Sequence, residues 1–236
     1  MPRPLIIAHR GASRERPENT LPAFARAEEL GADGIELDVH ATRDGVVVVH
    51  HDPVPRGPVA DPALAGKPIA ALRLRELRTI PVAPGTAMPP LAQVLRTIHE
   101  RIEVFVEVKA PGIERHVVET ITAAHASERC AVHAFDHRAI RRVRDHAPRL
   151  RTGILLSSAL VDPAAALRAA HANDYWVWRE FVDDALLASV HEAGGRVIVW
   201  TVNAPDEMRA LAALGVDGIC TDVVAEARAA LDDGRV

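Results

Sequence analysis

Short apolar runs alternate with longer amphipathic stretches along most of this chain. Runs at 5–9 (LIIAH), 33–39, 46–50, 103–108, 130–135, 152–156, 174–178, 197–202 and 217–220 have the length and residue types of strands. Helix-period stretches at 20–30, 90–100, 113–125, 137–147, 162–172, 183–193, 205–214 and 222–232 lie between most of them. Cap-type residues open several of these, among them Asn19-Thr20, Asp136 and Asp162-Pro163, and glycines such as Gly31 and Gly215 follow others. Strands that alternate with helices predict a parallel sheet with helical crossovers. Seven or eight such units in 236 residues fit a (β/α)8 TIM barrel. An open, doubly wound sheet would carry a Gly-rich phosphate turn after its first strand. The turn here is HRGASRERPENT instead.

Section 52–89 breaks the rhythm. It is rich in Pro and Gly and holds one short helical pattern, at about 72–79. It reads as a surface insertion after the second barrel strand region, between a barrel strand and its helix. The expectation is one α/β barrel domain over 1–236, with 52–89 as its insertion.

Composition narrows the partners. Hydrophobic residues make up 48% of the chain and charged residues 25%, and the formal net charge is −4. No bulk positive field argues for nucleic acid or an anionic membrane surface. No run approaches the roughly 18 apolar residues of a membrane span, so no stable membrane insertion is expected. The start MPRPLIIAHRG leaves no room for a signal peptide, and a cytoplasmic location is the expectation. Cys130 and Cys220 sit in apolar strand-like runs without a CxxC pattern and read as core residues. Of 28 basic residues only Lys67 and Lys109 are lysines, so the chemical setting of Lys109 carries weight.

The candidate chemistry sits at strand ends. Residues i and i+2 of a strand share a face, so Glu36 and Asp38 project together, and Glu107 and Lys109 repeat that geometry on another strand. His9 closes the first strand, and Gly11 follows it in a sharp turn. In a (β/α)8 barrel these ends gather at one mouth. Three carboxylates so placed repel one another unless a proton, a basic partner or a metal intervenes. A salt-bridge network with Arg10 and Lys109 would satisfy them. So would a cation, and oxygen ligands without cysteine favour Mg²⁺ or Ca²⁺.

The stretch IIAHRGASRERPENTLPAFARAEELGADGIELDVHATRDGVVVVHHDP resembles the N-terminal signature of the glycerophosphodiester phosphodiesterase family in its HRG, PENT, E-x-D, T-x-DG and HD elements. MPPLAQVL, VEVK, AFD, VWTVN and GVDGICTD continue the likeness over nearly the whole chain. The resemblance implies a (β/α)8 barrel that cleaves glycerophosphodiesters to glycerol 3-phosphate and an alcohol. It implies a divalent metal on Glu36, Asp38 and Glu107, catalytic histidines at His9 and His51, and Arg10 and Lys109 facing the phosphate. Its HD register selects His51 over His50.

The remaining positions carry two readings each. Asn19 is either a polar contact at the metal side or the N-cap of the first helix. Trp200 is either core or a substrate wall, and Phe135 reads as core. Glu18 reads as a turn or supporting residue, and Asp52 as the orienter of His51. The histidines outside these motifs fall mostly on helix patterns and read as surface residues. Departures from the family pattern, such as Ala134 before Phe135 and the missing threonines after Asp52, cluster on the substrate side. Two alternatives remain. One is a lysophospholipase-D-like phosphodiesterase, which calls for an apolar rim on the insertion. The other is a non-catalytic barrel that binds a phosphorylated metabolite, which calls for a lost histidine or carboxylate.

Overall fold

The computed structural model describes residues 3–232. Eight parallel strands close into a barrel: β1 (Leu5–His9), β2 (Gly34–Ala41), β6 (Glu103–Val108), β7 (Cys130–Ala134), β8 (Arg151–Leu156), β9 (Asp174–Trp178), β10 (Arg196–Trp200) and β11 (Gly218–Thr221). Each pairs in parallel with its neighbours, and β1 joins both β2 and β11 to complete the ring. Helices α1 (Leu21–Glu29), α3 (Leu91–Thr97), α4 (Glu114–Ala123), α5 (His137–His146), α6 (Pro163–Ala170), α7 (Asp184–Glu192), α8 (Pro205–Leu214) and α9 (Val224–Asp232) follow the barrel strands in turn. The expected elements are all present, with ends shifted by a few residues. The run at 46–50 is the exception in role. Its strand β3 (Val47–Val49) pairs antiparallel with β2 outside the ring.

The alternation of side chains explains the two cores. One face of each strand packs on the helices around residues such as Ile6, Ile35, Val106 and Val177, forming the larger apolar layer. The other face fills the barrel in tiers. At the N-terminal end of the strands, fully buried Asp174 accepts two bonds from Arg196 at 2.8 and 3.1 Å. Arg151 pairs with Glu103 beside it. The middle tier is apolar: Ile7, Phe105, Ala131, Leu155, Trp176, Ile198 and Cys220. Two aromatic rings fit there because glycines face them. A Cβ on Gly34 would lie 2.8 Å from the Phe105 ring, and one on Gly153 would lie 3.0 Å from Trp176. Above that tier, at the C-terminal mouth, the interior turns polar.

The insertion between β2 and α3 is more than a surface excursion. It contains β3, two 3₁₀ turns, the short helix α2 (Leu74–Leu77) and a hairpin of β4 (Pro81–Ala83) with β5 (Thr86–Ala87). Its apolar residues Ile69, Leu72, Leu77, Ile80 and Met88 gather on Val48 into a separate small core. That burial anchors the segment from β3 to α3 and holds His51 beside the mouth.

The turn after β1 sets the first side of the mouth. Gly11 has φ +81°, and a Cβ there would meet the Ala23 carbonyl carbon at 2.7 Å. The Ala12 amide donates to that same Ala23 carbonyl at 2.9 Å, so the turn is stitched to the start of α1. Replacing Gly11 with Ala adds both a left-handed backbone cost and a clash with backbone. Gly11→Ala is therefore expected to lower stability by about 3 kcal/mol, read as a fall in the urea midpoint with an unchanged slope. An unchanged midpoint would refute the role given to this turn.

Candidate active site

The mouth holds a cavity of about 260 Å³ lined by His9, Arg10, Glu36, His51, Glu107, Lys109, His133, Phe135, Trp200 and their neighbours. β1 carries His9, β2 carries Glu36 and Asp38, and β6 carries Glu107 with Lys109 just beyond its end. Parallel pairing puts Asp38 level with Glu107 and His9 level with Glu36. Three carboxylates thus meet in a buried space: Glu36 is 3% exposed, Asp38 1% and Glu107 8%.

Two cations answer these three anions, and they do so unequally. Lys109 Nζ lies 2.8 Å from Glu107 Oε1 and 3.4 Å from Asp38 Oδ1. Arg10 Nε lies 3.1 Å from Asp38 Oδ2, while its other end pairs with Glu18 at 3.0 Å. Asn19 Nδ2 donates to Asp38 Oδ2 at 2.8 Å, and the Asp38 amide donates back to Asn19 Oδ1 at 3.2 Å. Glu36 accepts only the Arg10 backbone N–H, at 3.2 Å. Its Oε1 is buried with no hydrogen-bond partner.

The proton affinities follow this inequality. Burial, then the fields of Asp38 and Glu107, push the Glu36 carboxyl well above the usual range. Burial and Asp38 also raise Glu107, against the pull of Lys109. Burial alone would raise Asp38, but Arg10, Lys109 and Asn19 outweigh it and hold that carboxyl below its ordinary value. Lys109 is raised as well, because Glu107 and Asp38 overcome its desolvation.

Each candidate histidine has a carboxylate behind it. His9 Nδ1 donates to Asp222 Oδ1 at 2.7 Å, and His51 Nδ1 donates to Asp52 Oδ1 at 3.0 Å. In both rings Nε2 is then the nitrogen left to exchange a proton. His51, not His50, lines the cavity. The His51 carbonyl accepts from buried His40 Nε2 at 3.0 Å, which ties the loop to the end of β2. Burial lowers the proton affinity of His40.

The two-sided positions now separate. The N-cap of α1 is Thr20, whose hydroxyl accepts from the Ala23 amide, so Asn19 serves Asp38 instead. Phe135, read from sequence as core, is 48% exposed at the rim, and Trp200 lies beside it with ring centroids 5.6 Å apart. Trp178 meets the other edge of Trp200 at 5.0 Å, so the three rings form one wall. Glu18 meets Arg10, and Asp52 backs His51, as expected.

Sequence reading missed three participants. Asp222 lies 213 residues from His9, and its other oxygen accepts from Asn203 at 2.8 Å. Both fall within the quoted GVDGICTD and VWTVN motifs, which is the signal that was there to use. His133 is 1% exposed, inside the barrel rather than on the surface, with its ring stacked on Trp176 at 4.3 Å. Its period-two relation to Ala131 on β7 pointed inward.

The donor set suits a divalent cation. One ligand atom each from Glu36, Glu107 and His133 lies within 4.8 Å of the others, and Glu36 also has a buried oxygen without a partner. Carboxylate oxygens are the ligands hard cations require.

Residues 9–226 match the model of the glycerophosphoryl diester phosphodiesterase family. A glycerophosphodiester phosphodiesterase from Caldanaerobacter subterraneus is 34% identical over 233 residues, covering 92% of this chain and 93% of that protein. Two solved structures share the fold. The glycerophosphodiester phosphodiesterase of Agrobacterium tumefaciens superposes with a TM-score of 0.85 at 24% identity, covering 96% of this chain and 99% of that one. A phosphodiesterase of Oleispira antarctica, in complex with the product sn-glycerol-3-phosphate, gives 0.86 at 22% identity, covering 98% and 97%.

The Asp222 contacts make a measurable prediction. Burial opposes ionisation, but bonds from His9, Asn203 and Ser13 prevail and hold this carboxyl at about 2, below its ordinary 3.8. A depressed carboxyl stabilises the fold above its unfolded value and loses that contribution as pH falls through its folded one. The urea midpoint of the wild type should exceed that of Asp222→Asn above about pH 4, and the gap should close toward pH 2. A gap that stays constant over that window would contradict the assignment.

Proposed function

We infer that this mouth performs metal-assisted acid–base cleavage of glycerophosphodiesters, from the premise that the chain belongs to the glycerophosphoryl diester phosphodiesterase family and is a phosphodiester hydrolase. The products are glycerol 3-phosphate and an alcohol. The observation that carries the reading is the set of three buried carboxylates with two basic side chains, flanked by two Asp-backed histidines in one cavity.

Glu36, Asp38 and Glu107 would hold the divalent cation, and their hard oxygens suit Mg²⁺ or Ca²⁺. When bound, such an ion supplies positive charge to the non-bridging phosphoryl oxygens. Lys109 and Arg10 add fixed positive charge on the same side of the cavity, where burial strengthens their effect on a phosphate. Asn19 and Glu18 keep Asp38 and Arg10 in place through the contacts described above.

The two histidines divide the proton traffic. One takes a proton from the nucleophile as its oxygen forms a bond to phosphorus. The other gives a proton to the departing alcohol oxygen as the second P–O bond breaks. The nucleophile is water, or the neighbouring glycerol hydroxyl followed by water in a second step. Asp222 and Asp52 hold each Nδ1–H, so each ring presents Nε2 for exchange. Trp200 and Phe135 are aromatic walls of the cavity, against which the substrate's non-phosphate parts would lie.

The insertion favours a small substrate over a lipid. Its large apolar residues are spent on its own core, and Phe135 and Val161 are the exposed large hydrophobic residues in the described chain. The described residues of the insertion therefore supply no apolar rim to the mouth. No described helix is long and apolar enough to cross a membrane. The retained histidines and carboxylates leave the non-catalytic reading without support.

Hydrolysis of glycerophosphocholine and glycerophosphoethanolamine, followed with and without EDTA, is the direct test. Activity is expected to vanish on chelation and to return with added divalent ion; activity indifferent to EDTA would end the metal reading. His51→Ala should lower kcat/KM by about 100-fold or more. His50→Ala should stay far closer to wild type, because His50 lies outside the cavity lining. The reverse order would show that the wrong histidine has been assigned.

A further inference from the structure

His133 has no use in the chemistry so far, and its setting is costly. It stands on β7 two residues beyond Ala131, on the face that fills the barrel. Its ring lies nearly parallel to the buried Trp176 indole, with an interplanar angle of 5°. Nδ1 is buried with no partner, and no protein group hydrogen-bonds the ring at Nε2 either. Burial drives its proton affinity down to about 3, so the ring is a neutral imidazole at ordinary pH. A leucine could stack on Trp176 without leaving polar atoms unmatched. Of the two ring nitrogens only Nδ1 is a buried atom without a partner; Nε2 is not, and the ring lines the cavity, so a partner for Nε2 can come from the cavity.

The position of Nε2 names that partner. It lies 4.0 Å from Glu36 Oε1, the one oxygen of the carboxylate cluster that is buried and unbonded. That separation is too long for a hydrogen bond. It lies within the range of about 3–4.2 Å expected for two atoms that ligate one ion at about 2.1 Å each. Glu107 contributes an atom to the same cluster. Asp38 is the carboxylate most occupied by protein, with Asn19, Arg10 and Lys109 on its oxygens.

We propose that His133 donates its Nε2 to the cation that Glu36, Asp38 and Glu107 would hold, making this mouth a mixed nitrogen–oxygen site. The proposal rests on the reading that a divalent cation is held here, and it refines the ligand chemistry of that site. A cation at Nε2 puts the ring proton on Nδ1, which the protein leaves without an acceptor, while Trp176 fixes the ring plane. Imidazole suits first-row transition ions better than it suits Mg²⁺ or Ca²⁺. The site therefore takes Mn²⁺ more tightly than the carboxylates alone would, with little gain for Ca²⁺.

Pulsed EPR on the full-length protein loaded with Mn²⁺ reads the nitrogen directly. The expected result is a ¹⁴N coupling in the wild type that is retained in His9→Ala and His51→Ala and lost in His133→Gln and His133→Leu. In parallel, His133→Gln should weaken Mn²⁺ binding about tenfold or more while Ca²⁺ binding changes far less. Absence of ¹⁴N coupling in the wild type, its survival in a His133 variant, or its loss in His9→Ala or His51→Ala would overturn the proposal. If neither His133 variant folds, the wild type and the His9 and His51 variants still decide it: coupling retained in both supports His133, and coupling absent from the wild type or lost in either variant refutes it. A wild type that binds Mn²⁺ through oxygen alone refutes only the histidine ligand. A wild type that binds no divalent ion, and hydrolyses glycerophosphodiesters in EDTA, refutes the metal reading itself.

Discussion

The mouth of this barrel depends on a charge imbalance: three buried carboxylates on two adjacent strands face two basic side chains. Lys109 and Arg10 are both drawn to Asp38, which lies between them. Glu107 shares Lys109, and Glu36 is left with one backbone N–H. A fully balanced set would form a closed ion-pair network with no room for more charge, as Asp174 and Glu103 do with Arg196 and Arg151 at the opposite end of the barrel. The comparison separates two uses of buried charge in one molecule. The lower set is saturated by its guanidinium partners and plugs the barrel. The upper set is short of one positive charge and opens into a cavity. A group held unsatisfied in a low-dielectric pocket is poised to bind whatever supplies the missing charge.

The apolar middle tier makes that imbalance possible. Phe105, Trp176 and their neighbours seal the interior beneath the carboxylates, so water cannot approach from below. Phe105 is anchored from the other side by the Arg151 guanidinium over its ring at 5.3 Å and by Trp176 edge-on at 5.2 Å. Gly34 and Gly153 are small because these rings are large. The chain therefore invests strand positions with no catalytic role in a floor for the site, and the fields of Glu36, Asp38 and Glu107 stay strong because that floor is dry.

What was legible in the sequence was what local periodicity encodes. Glu36 with Asp38, and Glu107 with Lys109, share a face by strand alternation, and the βα rhythm brings those strand ends together. The barrel, the insertion point and the choice of His51 followed from pattern and family likeness. What was hidden depended on contacts between distant segments. Asp222 reaches His9 across the closure of the ring, where the first and last strands pair. His133 was concealed by its small apolar neighbours, which made CAVHAF look like plain core. Phe135 follows the last residue of the same strand and has left the barrel interior for the rim, and alternation cannot say where a strand stops. The insertion looked like a surface excursion because it is rich in Pro and Gly and its apolar residues are spaced irregularly. They become a core only when folded onto Val48.

The two histidine–aspartate pairs look alike but are built differently, and the difference bears on how each can work. Asp222 also accepts from Ser13 and Asn203, neutral donors that fix its orientation without cancelling its charge. Asn203 in turn accepts from the Asp222 amide and from Thr221, so the whole unit is braced by strand β11 and the segment after β10. Asp52 pairs with the exposed Arg56 as well as with His51, which offsets part of its charge. Its support comes from a loop held by His40 and by the satellite core. Behind His9 stands an uncompensated carboxylate on the barrel frame; behind His51 stands a partly compensated one on the insertion. The two rings are thus held by frames of different kind, one on the closed barrel and one on the insertion that packs beside it.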